Sequence, residues 1–224
     1  MATPAAGNGE ARRLTRQGKE RKQQLLDHAA GLFAERGYAD TRVADIVRDA
    51  GVAKGLFYWY FENKEALFRE LVETTRHRMR QMQAEAIDPD APALVRIRQG
   101  VEASLRFMSE WRRLYSMFDL DGVDPELAQS LRSGSDVHTL DTARHIREGI
   151  AEGTIRDEDP LLLAYGVIGT VAYFNHLHRM ARIDGDLDDV VRFVGSFVVR
   201  ALASGDGIAA DALSTKTLPS AALG

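Results

Sequence analysis

The chain has 224 residues, which is enough for one large domain or two of modest size. It contains no cysteine, and this excludes disulfides, thiolate metal sites and thiol nucleophiles while fitting a reducing cytoplasm. The net charge of −4 is unevenly distributed, since residues 1–80 hold 15 Lys and Arg against 11 Asp and Glu, whereas residues 81–224 hold 14 against 22. A small N-terminal unit that meets a polyanion fits this split, although solvated faces also scatter charge.

No segment has the pattern of a signal peptide or a membrane span. The first 13 residues lack the apolar centre of a secretory signal. The longest apolar stretch, residues 161–174, is 14 residues long and includes one Thr, which makes it too short to cross a bilayer. The sequence therefore predicts a cytoplasmic protein without a membrane partner.

Almost every segment has helical periodicity. Apolar residues recur at intervals of three and four, and no segment alternates convincingly as a strand would, so the sequence predicts an all-α fold. Gly37 and Gly51 mark helix ends, while Thr41 and Asn63 are candidate N-caps. The predicted N-terminal helices are residues 19–36, a short helix that follows Thr41 and ends at Asp49, a short helix from Val52 or Ala53, and a long helix from Asn63 to around Ala86.

The second unit begins near Pro89 and Pro92, because a proline and the residue before it fit poorly inside a helix. We place the border within residues 78–90, and Asp159-Pro160 marks a later helix start. The predicted helices beyond the border are residues 93–118, 124–132, 136–152, 159–182 and 187–204. Residues 1–18 are expected to form a flexible basic arm, and residues 205–224, rich in Gly, Ala and Ser, a flexible tail.

Two short helices joined at Gly51 have the spacing of a helix-turn-helix, the motif that sets its second helix into the major groove of DNA. Gly51 stands where the turn needs a left-handed backbone. Lys54 and Leu56 then point outward from the second helix. An αα-hairpin without a role in DNA binding has the same spacing, so that alternative stays open at this point. The residues expected to pack the motif are Ile46, Ala50, Val52, Phe57 and Tyr60.

Five of the 17 aromatic residues form one run from Phe57 to Phe61. Successive helical residues point in all directions, so some of these rings must be exposed, and a phenol beside a basic surface can donate to phosphate. Lys64 follows at a helix start, where an ammonium and free N–H groups favour anions, but an ordinary solvated lysine fits as well. Six basic residues near the start of the first helix can follow a minor groove or simply keep the N-terminus soluble. They are Arg12, Arg13, Arg16, Lys19, Arg21 and Lys22.

The motif and its flanks contain glycine, aromatic and small residues at fixed spacing, namely Gly37-Tyr38, Thr41, Val43, Ile46, Ala50-Gly51-Val52, Gly55, Phe57-Tyr58, Tyr60-Phe61, Asn63-Lys64 and Leu67. Over residues 20–70 this set closely resembles the TetR family of bacterial one-component transcription regulators. The resemblance implies a homodimer that binds a near-palindromic operator and is usually a repressor released by a small-molecule effector. Residues 19–84 are then a helix-turn-helix DNA-binding domain, and residues 85–204 an effector-binding and dimerisation domain.

The resemblance also implies which residues touch DNA. Positions that commonly hold phosphates are matched by Thr41, Tyr58, Tyr60 and Lys64. Variable positions near base edges are matched by Lys54 and Leu56, while Gly55 lets the backbone approach closely.

Three residues depart from the family pattern. Ala53 stands where Ser or Thr is usual, so a hydroxyl cap worth about 0.5–2 kcal/mol is missing. Arg42 replaces a small hydroxyl residue and adds a candidate phosphate or guanine contact. Val47 replaces an alanine, which slightly alters helix packing.

The second unit offers candidates for the effector pocket and the dimer interface. Four aromatic residues recur on one helical face, although such a stripe is more often core than pocket; they are Phe107, Trp111, Tyr115 and Phe118. Four side chains bring polar atoms to the later apolar helix, and a ligand is one candidate partner for them; they are Tyr165, Tyr173, Asn175 and His176. Gly166 and Gly169 permit another helix to approach, and the family places its dimer interface on its last two helices.

Other patterns support little chemistry. His138, Asp141 and His145 share one helical face, but without a fourth ligand the spacing is only weak support for a metal site. A glycine-rich segment from Gly205 imitates a dinucleotide fingerprint without the preceding strand that this motif requires. We therefore expect a regulator without catalytic activity or cofactor that binds double-stranded DNA. A helical small-molecule carrier or enzyme is the alternative, and specific, salt-sensitive DNA binding separates the two.

Overall fold

A computed structural model describes residues 15–110 and 125–215, with the backbone alone for residues 125–136. Within these ranges the chain forms helices and no strand, which confirms the all-α prediction. An isolated antiparallel bridge joins Ile155 to Ala203. The helices are α1 (Arg16–Asp40), α2 (Val43–Asp49), α3 (Lys54–Tyr60), α4 (Lys64–Ala86), α5 (Ala93–Glu110), α6 (Pro125–Ala151), α7 (Pro160–Arg179), α8 (Leu187–Leu202) and α9 (Asp206–Ser214).

Helices α1–α4 enclose the first of two hydrophobic cores. Leu25, Phe33, Ile46, Phe57 and Phe68 are almost fully buried in it. The rings of Phe33 and Phe68 meet edge to face with centroids 5.4 Å apart, an arrangement that aromatic quadrupoles favour. The two short helices α2 and α3 are therefore held in place by contacts with α1 and α4 as well as with each other.

The junction between α1 and α2 differs from the sequence prediction. Gly37 has a φ of +82°, which breaks the helical path of α1 three residues before its end at Asp40. Arg42, not Thr41, is the N-cap residue of α2. Thr41 is instead buried, and its hydroxyl donates a hydrogen bond to the Gly37 carbonyl at 2.8 Å. Thr41 thus satisfies an orphaned carbonyl at the end of α1.

Helices α5–α9 form the second core around α5. Leu94, Val101, Val167, Val194 and Val198 are buried in it. The two cores share no residue, and the expected border at residues 78–90 lies between them along the chain. The α4 helix connects them, since its Asn63 cap accepts from the Ala66 N–H at 2.8 Å, as predicted, while Gln83 Nε2 donates to the Ser104 hydroxyl of α5 at 2.8 Å.

Two expectations for the second unit and one for the N-terminus were wrong. The sequence predicted a break at residues 133–135, but α6 continues through them. The helix tolerates the glycine in this stretch because a single glycine costs a long helix only about 1 kcal/mol. Residues 206–214 of the expected flexible tail form α9, where Ala209 and Ala212 are buried. Residues 16–18 of the expected arm begin α1, capped by the Thr15 hydroxyl, which accepts from the Gly18 N–H at 3.2 Å.

The neighbours of Gly149 in α6 leave no room for a side chain, so an added methyl group should destabilise the fold. A Cβ at this position would stand 2.7 Å from Ile155 Cγ1 and 3.3 Å from Ala93 Cβ. We expect Gly149→Ala to lower the free energy of unfolding by about 1–3 kcal/mol, measured by urea denaturation. Gly31→Ala in α1 is the control, because its Cβ would meet no atom within 4 Å and should cause no loss.

Candidate functional site

The helix-turn-helix is built from two seven-residue helices and a tight turn. Gly51 has a φ of +63°, the left-handed conformation that the sequence predicted for the turn. The Arg42 N–H donates to Asp45 Oδ2 at 3.1 Å, and this bond, followed by the Arg48 side chain, lowers the pKa of Asp45. Ala53 is the N-cap residue of α3, and its methyl side chain has no oxygen that could accept a capping hydrogen bond.

The aromatic run on α3 divides between the core and the surface, as predicted. Phe57 and Phe61 are buried and Tyr60 is half-buried, whereas Tyr58 and Trp59 are each 51% exposed. Trp59 was not among the candidate site residues predicted from the sequence. Its exposure on α3 identifies it as one. The α3 surface therefore offers a phenol and an indole N–H to an external partner.

Two cations stand at the starts of the short helices. Arg42 and Lys54 are exposed, and neither forms an ion pair with any part of the chain that the structure describes. The Lys54 ammonium lies 5.8 Å from the centre of the Tyr58 ring, whereas Arg48 is paired with Asp45 at 2.6 Å. Arg42 and Lys54 therefore keep their positive charge free for an anionic partner.

The remaining α3 candidates lie beside these cations. Gly55 is exposed and Leu56 is half-buried. A Cβ at Gly55 would meet no atom within 4 Å, so packing inside the chain does not require a glycine there. This agrees with the expectation that Gly55 allows an external partner to approach the backbone.

Lys64 and Thr41 do not fit their expected roles as phosphate ligands. The Lys64 ammonium donates to the carbonyls of Tyr38 at 2.6 Å, Thr41 at 2.9 Å and Ala39 at 3.5 Å. It also lies 4.1 Å from the centre of the Tyr38 ring, and burial lowers its pKa against the opposing charge of Asp40. All three donors of the ammonium are occupied, so Lys64 fastens α4 to the end of α1.

Loss of the Lys64 ammonium should therefore destabilise the first unit. We expect Lys64→Met to lower the free energy of unfolding by about 1–3 kcal/mol, because it leaves carbonyls without their charged donor. Amide hydrogen exchange at residues 38–41 should rise with it. Lys54→Met removes an exposed lysine from α3 and should leave stability unchanged. Equal stability of both variants would instead leave Lys64 available to phosphate.

A cavity of about 440 Å³ lies in the second unit between α4, α5, α6 and α7. Its volume is in the range of small-molecule sites, which cover roughly 300–1,000 Å³. Its lining combines apolar side chains, most of them from α5 and α7, with polar and charged side chains from α4, α5 and α6. The cavity is thus large enough for an organic ligand and chemically mixed.

The expected pocket residues do not line this cavity where the structure describes them. Phe107 is buried in the core, while Trp111, Tyr115 and Phe118 lie outside the described residues. On α7, Tyr165, Tyr173 and His176 are exposed and Asn175 is half-buried, and none of them borders the cavity. The sequence did not identify the lining of this cavity, because periodicity cannot tell which face of α7 meets α5.

His138, Asp141 and His145, considered above for metal binding, border the cavity instead. Among the described residues, no group of three or more His, Asp and Glu side chains could hold a metal ion. The i, i+3, i+7 spacing of these side chains was the sequence signal for a polar cavity wall.

Helices α7 and α8 leave an apolar face uncovered. Leu162 is 69% exposed on α7, and Phe193 and Phe197 are about half exposed on α8. Gly166 and Gly169 lie on the exposed side of α7, where an added Cβ would meet no atom within 4 Å. Within the described residues, α7 alone has the length and apolar composition of a membrane-crossing helix, and few of its residues are buried. Large apolar side chains left exposed in this way are typical of interaction sites.

The comparisons with known proteins agree with the helix-turn-helix. A family model described as "Bacterial regulatory proteins, tetR family" matches residues 25–71. The chain is 29% identical over 148 residues to the HTH-type transcriptional regulator YhgD of Bacillus subtilis, covering 65% of this chain and 78% of YhgD. It is 33% identical over 75 residues to the HTH-type transcriptional regulator AcrR of Shigella flexneri, covering 34% of this chain and 35% of AcrR.

A solved structure extends the likeness in fold to the second unit. The TetR-like transcriptional regulator from Rhodococcus sp. RHA1 superposes with a TM-score of 0.68 at 23% identity. The match covers 84% of this chain and 98% of the solved one. The order of the two units and their helical architecture are therefore similar in both proteins.

Proposed function

Because the chain belongs to the TetR family of bacterial transcriptional regulators, we propose that it is a homodimeric repressor of a near-palindromic operator, released by a small-molecule effector. Members of the family are DNA-binding regulators that act as dimers. The observation that carries the proposal is the free positive charge of Arg42 and Lys54 at the starts of α2 and α3. No catalytic step is part of the proposed function.

The DNA-binding surface consists of α3 and the start of α2. Lys54, Gly55 and Leu56, at the first turn of α3, face base edges in the major groove. Arg42 and the Tyr58 hydroxyl contact phosphates on either side, while Tyr60, half-buried, lies at the edge of the surface. Lys64 and Thr41 act indirectly by fixing the position of this surface, since their polar groups are bonded to the chain.

Salt dependence of operator binding tests this assignment. For an operator selected from random duplexes, Arg42→Gln should reduce the slope of log affinity against log salt by about 0.9, the value for one phosphate contact. Lys54→Gln should change the ranking among operator variants. Arg147→Gln removes an exposed charge from α6 and should change neither quantity. An absence of any specific, salt-sensitive binding would favour the alternative of a carrier or enzyme.

The dimer interface is the apolar face of α7 and α8. Its aromatic residues leave large areas in contact with water in one chain, and association of two chains would remove them. Gly166 and Gly169 leave room on α7 for a helix of the partner. A symmetric pairing of this face with itself satisfies both features and places the two α3 helices on one dimer.

A bulky side chain in this interface should weaken the dimer. Gly169→Leu should overpack the contact at a cost of about 1–3 kcal/mol, without disturbing the single chain, where the site is open. Analytical ultracentrifugation should show dissociation at concentrations where the original chain is dimeric. Gly31→Leu in α1 serves as the control. A well-folded Gly169→Leu variant with an undiminished dimer would place the interface elsewhere.

The effector cavity is coupled to DNA binding through α4. Arg80, Gln83 and Ala84 of α4 border the cavity, and the first residue of the same helix, Lys64, fixes the DNA-binding unit. The two α3 helices of a dimer must reach major grooves about 34–36 Å apart or a multiple of this. A ligand that favours another position of α4 would lower operator affinity, with couplings of about 1–3 kcal/mol being typical.

A further inference from the structure

We propose that the effector is an amphipathic organic anion, with one carboxylate or similar acidic head group bound at Arg80 and an apolar body that lies against α5 and α7. This inference rests on the proposed function only in that the cavity is taken as the effector site. The binding chemistry itself follows from the side chains around the cavity.

The apolar side of the cavity selects the body of the ligand. Ile97, Val101 and Met108 of α5 line it together with Val167 and Val171 of α7. Their side chains offer no hydrogen bond, and burial of apolar ligand surface against them contributes about 25 cal/mol per Å². A ligand that is polar throughout would lose its hydration here without compensation.

The polar side of the cavity is predominantly cationic. Three guanidinium groups border it, those of Arg80, Arg96 and Arg144, against a single carboxylate, that of Asp141. The charge of Arg96 is already paired, with Glu148 at 2.8 Å and, at a longer 3.8 Å, with Glu152, and its guanidinium also lies 3.3 Å from Nδ1 of His145, which borders the cavity. Asp141 stands 4.0 Å from Arg144, which offsets its negative charge.

Arg80 is the guanidinium left over. Within the described residues it forms no ion pair and no hydrogen bond, although it is close enough to His138 for its charge to oppose protonation of that imidazole. Burial is the larger reason that the pKa of His138 is lowered, and Asp141 partly offsets it. His138 is therefore a neutral hydrogen-bonding group beside an unpaired cation.

An anionic head group would pair with the free charge of Arg80, whereas a neutral or cationic head group would not. A carboxylate at Arg80 can accept two parallel N–H bonds from the guanidinium. Arg80 is exposed to water, so a neutral ligand would only forgo the charge-assisted bond, whereas a cationic ligand would be repelled by this unpaired guanidinium. Because Arg80 belongs to α4, the head group would act directly on the helix that connects the cavity to the DNA-binding unit.

Three ligands with one apolar body test the class of the effector. Calorimetric titration of the full-length dimer with 6-phenylhexanoate, 6-phenylhexan-1-ol and 6-phenylhexylamine varies the head group alone. We expect the carboxylate to bind at least about tenfold more tightly than the alcohol, as a charge-assisted hydrogen bond allows, and the amine to bind most weakly. An alcohol or amine that binds as tightly as the carboxylate, or three ligands that all fail to bind, would overturn the proposal.

Variants of the chain locate the head group. Arg80→Gln should weaken binding of 6-phenylhexanoate by about tenfold or more and leave binding of the alcohol within about twofold, while Arg80→Lys should restore part of the loss. Arg147→Gln removes the same charge from α6 outside the cavity and should have no effect. Unchanged carboxylate affinity in Arg80→Gln would contradict the assignment of Arg80.

Operator binding in the presence of each ligand separates this inference from the proposed function. Tight carboxylate binding with unchanged operator affinity would leave the cavity chemistry standing and overturn the regulatory role of the cavity. Operator release by the alcohol as effective as release by the carboxylate would leave the regulatory role standing and overturn the anionic class.

Discussion

The ammonium of Lys64, held by carbonyls at the end of α1, anchors the helix that reaches from the first unit to the second. It fixes the first residue of α4, and the far half of the same helix borders the cavity of the second unit. Because a helix of 23 residues is stiff, its two ends cannot move independently. A lysine that the sequence pattern associates with phosphate thus fastens the start of α4 to the end of α1.

The charge asymmetry of the sequence takes a more specific form in the fold. Several basic residues in the first unit are paired with carboxylates, as Lys22 is with Glu70 at 2.6 Å and Arg48 with Asp45. Arg42 and Lys54 lack such pairs among the described residues, so unpaired positive charge is present beside α3. Toward the second unit, where acidic residues predominate, Arg80 of α4 is a free cation at the cavity wall. Local charge, not net charge, decides the chemistry of each site.

The sequence predicted well what depends on neighbouring residues. The helical periods, the left-handed turn at Gly51 and the caps at Asn63 and Asp159 all involve partners within four positions along the chain. The division of the aromatic run between core and surface also follows from helix geometry alone. These local features identified the helix-turn-helix and with it the family.

The sequence by itself determined the all-α fold and the DNA-binding motif, whereas the tertiary structure decided which polar groups are free. Lys64 bonds to Tyr38, 26 residues away, and Arg98 bonds to Leu213, 115 residues away, which orders α9 where the composition predicted a flexible tail. The cavity wall joins Arg80 to His138 across two helices, while Tyr165 and Tyr173 face outward. Periodicity determines that a helix has an apolar face, but only packing selects the helix that covers it.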